Sequence, residues 1–160
     1  MIKNSELISK ALRIAALYHK GQTRKGKETP YIVHPMEVAM MLQEAKMDDY
    51  IVAAGLLHDT LEDTEMTENK LKKEFDDKLV DLVIAASEKL DNRDETSWYK
   101  RKKHTIDYLK TARREIQIIA CADKLSNVKS MARDYGDIGD ELWERFNAGY
   151  KKQKWYYCNL

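Results

Sequence analysis

Apolar positions recur at three- and four-residue spacings over most of this chain, which is the helical period. Within residues 5–20, Leu7, Ile8, Ala11, Leu12, Ile14, Ala15 and Tyr18 form one apolar stripe, which Gly21 ends. A polar stretch, QTRKGKETPYIVH, precedes a second helix. Pro35 suits the first turn of that helix, where a missing N–H costs nothing, and Val38, Met41 and Leu42 are its stripe. The third segment, YIVAAGLLHDTL, is apolar nearly all round until His58, with Asp48 or Asp49 as its cap. A helix with no wet face is predicted to run through the centre of a bundle. Further helices are predicted from Thr67 to Phe75, over 77–89, 98–110 and 113–133, and from 140 onward after a turn holding Gly136 and Gly139. In the last of these, Trp143, Phe146 and Tyr150 repeat as a core-facing stripe, while DNRDETS (91–97) reads as a solvated loop. The expectation is an all-α fold.

Composition supports this. Six Gly and two Pro in 160 residues are less than half the roughly 12% of average usage, too few for the turns of a sandwich or barrel. No linker, repeat or low-complexity run divides the chain, so residues 1–160 read as one domain. With 28 Lys+Arg against 27 Asp+Glu, the net charge of +1 gives no electrostatic reason to expect nucleic acid or a membrane as partner. No apolar run approaches the ~18–20 residues of a membrane span, and MIKNSELISK has no signal-peptide core. Two scattered cysteines, Cys121 and Cys158, do not make a disulfide framework, so a cytoplasmic location is expected.

The chemistry concentrates in HDTLED, His58 to Asp63. Ionisable groups at the end of a buried helix are costly unless paired or holding a metal. His58 and Glu62 are four apart, as are Asp59 and Asp63, so each pair is expected to lie on one helical face. His34 stands before Pro35 at a helix start, and Asp123 lies inside the apolar run IQIIACADKL. Two His and two Asp suit Mn²⁺, Fe²⁺, Zn²⁺ or similar ions, and ligand type alone does not choose among them. Lys20, Arg24, Lys25 and Lys27 crowd the loop that runs into His34, so cations are tethered near the acidic cluster. His19 and His104 read as surface or packing residues.

Three ordered segments, HKGQTRKGKETPYIVHP, AAGLLHDTLEDT and CADKLSNVKSM, resemble the motifs of the hydrolase domain of RelA/SpoT-type alarmone enzymes, within the HD phosphohydrolase superfamily. The resemblance runs from about residue 11 to 132 and implies a single HD-domain bundle of about eight helices. It implies metal ligands His34, His58, Asp59 and Asp123, usually holding Mn²⁺. The activity it implies is hydrolysis of the 3′-pyrophosphate of ppGpp or pppGpp to GDP or GTP plus pyrophosphate, by a metal-activated water. Glu62 and Asp63 would orient the nucleophile and handle protons, with the division between them open. Arg24, Lys25 and Asn127 would contact the nucleotide, and Tyr31 would either pack on the base or belong to the core. Lys100, Arg101, Lys102 and Lys103 after Trp98 resemble a WxxRK segment near the pyrophosphate, which brings in Arg101. The tail, LWxRFNxGYxxQKWYY in pattern, resembles small stand-alone bacterial HD proteins and offers Arg145 as a phosphate contact. Its aromatic density reads equally as closure of the core or as a homodimer surface. The length matches a hydrolase unit without the synthetase and regulatory domains of the long enzymes. Two other readings remain: an HD phosphohydrolase for an adenosine alarmone or phosphorylated dinucleotide, and a non-catalytic alarmone-binding sensor.

Overall fold

The computed structural model describes residues 3–87 and 97–160. Among these it is all helical, apart from an isolated antiparallel bridge between Thr23 and Pro30. The helices are α1 (Lys3–Tyr18), α2 (Val33–Glu44), α3 (Asp49–Leu57), α4 (Thr60–Asp63), α5 (Glu68–Glu74), α6 (Asp77–Ala86), α7 (Trp98–Thr111), α8 (Arg114–Ile138) and α9 (Tyr150–Asn159), with a 3₁₀ segment at Gly139–Arg145. No described helix is long and apolar enough to cross a membrane.

The centre of the bundle is α3, as its all-round apolar sequence predicts. Asp48 is the cap, accepting the Tyr50 N–H at 2.9 Å. Every residue from Ile51 to Leu57 is buried, and α3 touches α1, α2, α6 and α8. Each fully buried Leu or Val there contributes about 1.5–3 kcal/mol. Gly55 lets α2 and α3 approach closely. A Cβ at Gly55 would stand 2.5 Å from Leu42 Cδ1 and 3.3 Å from Val38 Cγ1. This contact brings the start of α2, with His34, alongside the end of α3, with His58.

Three boundaries differ from the sequence expectation. The apolar run 50–61 is not one helix, because α3 stops at Leu57 and α4 restarts at Thr60. Side chains take over the carbonyls a helix end leaves open. His58 Nδ1 bonds the Gly55 carbonyl at 2.8 Å, Thr60 Oγ1 donates to the Leu57 carbonyl at 2.6 Å, and Ser87 Oγ donates to the His58 carbonyl at 2.9 Å. Helix α8 runs through Gly136 and ends only at Gly139, where φ is 58°. The last segment is then a 3₁₀ turn and a separate helix, so Trp143, Phe146 and Tyr150 share no helical stripe. They meet as rings, Trp143 lying 6.4 Å from Phe146 and 5.0 Å from Tyr150, and Tyr150 is exposed. Farther along α9, Trp155 and Tyr156 close on α7, with Trp98 at 6.4 and 6.1 Å and Tyr99 at 4.5 Å from Trp155. The loop expected at 91–97, and the end of the helix expected at 77–89, fall outside the described residues except for Ser97, the cap of α7.

Candidate metal centre

Four side chains from three places in the chain converge where α2, the α3–α4 break and α8 meet. His34 comes from the first turn of α2, His58 and Asp59 from the break, and Asp123 from the middle of α8. His34 Nε2 lies 3.1 Å from Asp123 Oδ1 and 3.6 Å from Asp59 Oδ2. His58 Nε2 lies 3.1 Å from Asp59 Oδ1 and 3.7 Å from Asp123 Oδ1. Donor atoms of His34, His58 and Asp59 all fall within 4.8 Å of one another.

Both imidazoles are oriented through their other nitrogen. Ser126 Oγ donates its single proton to Glu37 Oε2 at 2.9 Å, so its lone pair faces His34 Nδ1, 3.0 Å away. His34 is thereby the Nδ1–H tautomer, with the Nε2 lone pair turned inward. Arg133 holds Glu37 in turn at 3.0 Å. His58 Nδ1 donates to the Gly55 carbonyl, which fixes the same tautomer. Tyr31 donates its hydroxyl to Asp59 Oδ2 at 2.5 Å, and Asn127 donates to Asp123 Oδ1 at 2.7 Å.

The donor set fits a divalent cation. His58 Nε2 is buried and makes no hydrogen bond; Asp59 Oδ1 is close but off the line of one. Two of the donor spacings, at 3.1 Å, fall within the edges of about 3.0–3.4 Å expected around a cation with ~2.1 Å bonds, and the other two, 3.6 and 3.7 Å, are a little wider. Burial works to neutralise Asp59, yet the His58 and His34 imidazoles outweigh it and hold the carboxyl far below its ordinary range. Asp123 is likewise held well below its ordinary value against burial, chiefly by Lys124 and the two imidazoles. His58 is pushed well above 6.5, because Asp59 and Asp123 overcome the cost of burying its charge. The site is thus a pair of ionised carboxylates facing two imidazoles. Two imidazoles and two carboxylates are a mixed N/O set for a first-row metal.

The cluster sits on the wall of a cavity of about 480 Å³. Glu62, Lys102, His104, Lys124 and Asn127 line it beside apolar residues of α6, α7 and α8. Asp63 is exposed on the same turn as Glu62, and its carbonyl accepts from Gln22 Nε2 at 2.5 Å. Arg24 reaches the site through Asn127 Oδ1 at 2.9 Å, with its guanidinium 5.6 Å from the Tyr31 ring centre. Tyr31 is half-buried and spends its hydroxyl on Asp59. Lys25, Arg101 and Arg145, expected as substrate contacts, do not line this cavity. Lys25 points to Asn147 and the Phe146 ring, Arg145 is spent on Asp134 at 3.3 Å, and Arg101 is half-buried on α7 away from the lining, where Lys102 takes its place. Of the two histidines expected as surface or packing residues, His104 is exposed on the lining of this cavity and His19 is buried. Ser126, Glu37, Lys124 and Gln22 were not singled out in the sequence. The one sequence trace is that Ser126 and Asn127 follow Asp123 at three and four residues, one turn along the same face.

A family model described as "HD domain" matches residues 11–146. A guanosine-3′,5′-bis(diphosphate) 3′-pyrophosphohydrolase of Borreliella burgdorferi is 38% identical over 128 residues, covering 78% of this chain and 19% of that one. A probable enzyme of the same name from Mycoplasma pneumoniae is 32% identical over 133 residues, covering 78% and 18%. The chain spans about a fifth of the length of these relatives. A crystal structure from Listeria monocytogenes superimposes with a TM-score of 0.72 at 40% identity, covering 79% of each chain. A metazoan ortholog of SpoT shares the fold, with a TM-score of 0.72 at 24% identity over 94% of this chain and 90% of that one.

Proposed function

The chain belongs to the HD-domain family, and from that premise we propose that it is a metal-dependent hydrolase of guanosine alarmones, acting on ppGpp or pppGpp with Mn²⁺ as its ion. The observation that carries the reading is the convergence of His34, His58, Asp59 and Asp123 on the wall of a cavity that also presents Lys102, Lys124 and, through Asn127, Arg24. A carboxylate cluster alone repels a polyphosphate; cations at its margin and a metal between them make the same cavity attractive to one. Helices α1 to α8 contribute to one core, and α9 packs on α7, which supports reading residues 1–160 as a single domain. A nucleotide substrate fits a cytoplasmic place of action.

His34, His58, Asp59 and Asp123 would hold the ion. When bound, a divalent cation polarises a phosphoryl oxygen and lowers the pKa of the attacking water. The remaining work falls to the chain's own groups. Water adds to the phosphorus on the ribose 3′-oxygen, the P–O3′ bond breaks, and the 3′-oxygen takes up a proton to leave as the hydroxyl of GDP or GTP while pyrophosphate departs. Glu62, on the cavity wall one turn past the ligands, is the nearer carboxylate for taking the water proton, with Asp63 beside it on the turn. Lys102 faces the phosphates, Lys124 is ion-paired with Asp123 at the edge of the cluster, and the apolar wall of Ile84, Leu109, Ile116 and Ile119 excludes water from the far side.

The test is purified protein, stripped with chelator and reloaded with Mn²⁺, incubated with ppGpp, pppGpp and their adenosine counterparts. GDP or GTP and pyrophosphate are expected from the guanosine compounds with metal. No pyrophosphate above the metal-free control refutes the reading, and faster turnover of the adenosine compounds moves the substrate to that class.

A further inference from the structure

Gln22 occupies a junction that the reading above does not use. Its side-chain Nε2 donates to the Asp63 carbonyl at 2.5 Å, and its own carbonyl accepts the Tyr31 N–H at 2.9 Å. Its Oε1 lies 2.7 Å from Nδ1 of His19. The amide orientation is fixed, because a carbonyl on one side requires the NH₂ there and leaves the oxygen for His19. His19 must therefore donate from Nδ1. It is only 2% exposed, its Nε2 has no hydrogen-bond partner, and its ring stacks 4.8 Å from Tyr31. A buried, half-satisfied imidazole is expensive to keep, about 1–3 kcal/mol for the unmet group. Packing alone would be served by Phe or Leu at that position.

Both arms of the junction end at the metal centre. One passes from His19 through Gln22 to the Asp63 carbonyl, at the end of the α4 turn that carries Glu62. The other passes through Tyr31, whose hydroxyl holds Asp59 Oδ2 and whose ring meets His34 edge-on at 5.9 Å. Helix α4 is a single turn of four residues between breaks and has no length of its own to keep its place.

We propose that Gln22, aimed by the buried His19, is a positioning residue whose side chain holds the Glu62–Asp63 turn in register with the metal ligands, while the His19 ring backs Tyr31. Its turnover arm rests on the phosphohydrolase reading; its metal arm does not. The variants are Gln22→Met, which removes donor and acceptor, and Gln22→Glu, which keeps the acceptor for His19 but opposes the Asp63 carbonyl with oxygen. His19→Phe keeps the ring against Tyr31 without a donor, and His19→Asn restores a donor near Nδ1. Each is assayed for Mn²⁺ affinity by calorimetry without substrate, then for kcat and KM on ppGpp.

The first three variants are expected to bind Mn²⁺ and turn over ppGpp about 10–100-fold less well, the range for residues that orient metal ligands, with KM nearly unchanged and His19→Asn recovering most of the loss. Folded Gln22→Met and Gln22→Glu proteins with wild-type Mn²⁺ affinity and kcat overturn the proposal. So does a rise in KM at constant kcat, which would make Gln22 a substrate contact. If Gln22→Met does not fold, Gln22→Glu and the His19 pair decide by the same criteria. If wild type has no alarmone turnover, the substrate reading fails alone, and the Mn²⁺ affinities decide whether the junction positions the centre.

Discussion

Replacing Ser126 by Ala removes one oxygen that touches neither substrate nor ion, so the size of its effect measures how far orientation governs the centre. The Ser126 hydroxyl receives His34 Nδ1–H at 3.0 Å and donates to Glu37 at 2.9 Å; His34 and Ser126 are 2% and 1% exposed. In the Ala variant no water reaches Nδ1. The ring then either keeps its proton on Nδ1 unpaired, at about 1–3 kcal/mol, or moves it to Nε2, where it blocks the metal. Either route taxes the metal-competent tautomer, and the expected loss of Mn²⁺ affinity is about 10–100-fold. Titration calorimetry on chelator-stripped protein reads this directly. Ser130→Ala, a buried serine one turn farther along α8, is the matched control and is expected to bind like wild type. Unchanged affinity in folded Ser126→Ala would refute the tautomer argument and leave His34 oriented by packing alone.

Three further outcomes follow from the same geometry. His58→Ala or Asp59→Ala each delete a donor rather than a surface charge, so metal content by elemental analysis and pyrophosphate release should fall together; retention of full stoichiometry would exclude the residue as a ligand. Gly55→Ala forces a Cβ against Leu42 and should cost about 1–3 kcal/mol in chemical denaturation, with a lower melting temperature. Asp76 caps α6 through Leu79 N and accepts from the Tyr50 hydroxyl, and these bonds, the Tyr50 one first, hold its carboxyl below 3.8. A depressed folded value means its contribution is present above 3.8 and lost as the pH falls through the folded value. Asp76→Ala should therefore cost about 1 kcal/mol at pH 7, as for other lost caps, with the gap to wild type closing in acid; a constant gap would contradict the assignment.

The helices and the four donors were legible because they depend on local pattern. Ala11 and Ala15 lie on the predicted stripe of α1, and the apolar run after Asp48 announced the central helix. The break at His58–Asp59 was not legible. Apolar periodicity continues through Leu61, and the interruption depends on carbonyls being claimed by Thr60, His58 and a serine 29 residues away. Gly136 suggested a turn by residue type, but α8 continues through it to Gly139. The resemblance offered Lys25 and Arg145 as substrate contacts; in the structure they engage Asn147 and Asp134, neighbours that only the fold supplies. Ser126 and Gln22 acquire their roles from which face of an imidazole they meet, which only the assembled fold defines.

Helix α3, with no wet face, also sets a timetable. On the ribosome it emerges long before α8, and roughly 65 residues separate Asp59 from Asp123. At roughly 5–20 residues per second that is some 3–13 s during which an apolar helix lacks its final neighbour and the donor cluster lacks Asp123. The four-residue donor cluster is therefore complete only once α8 has docked. Chains arrested before α8 leave one side of α3 uncovered and lack Asp123.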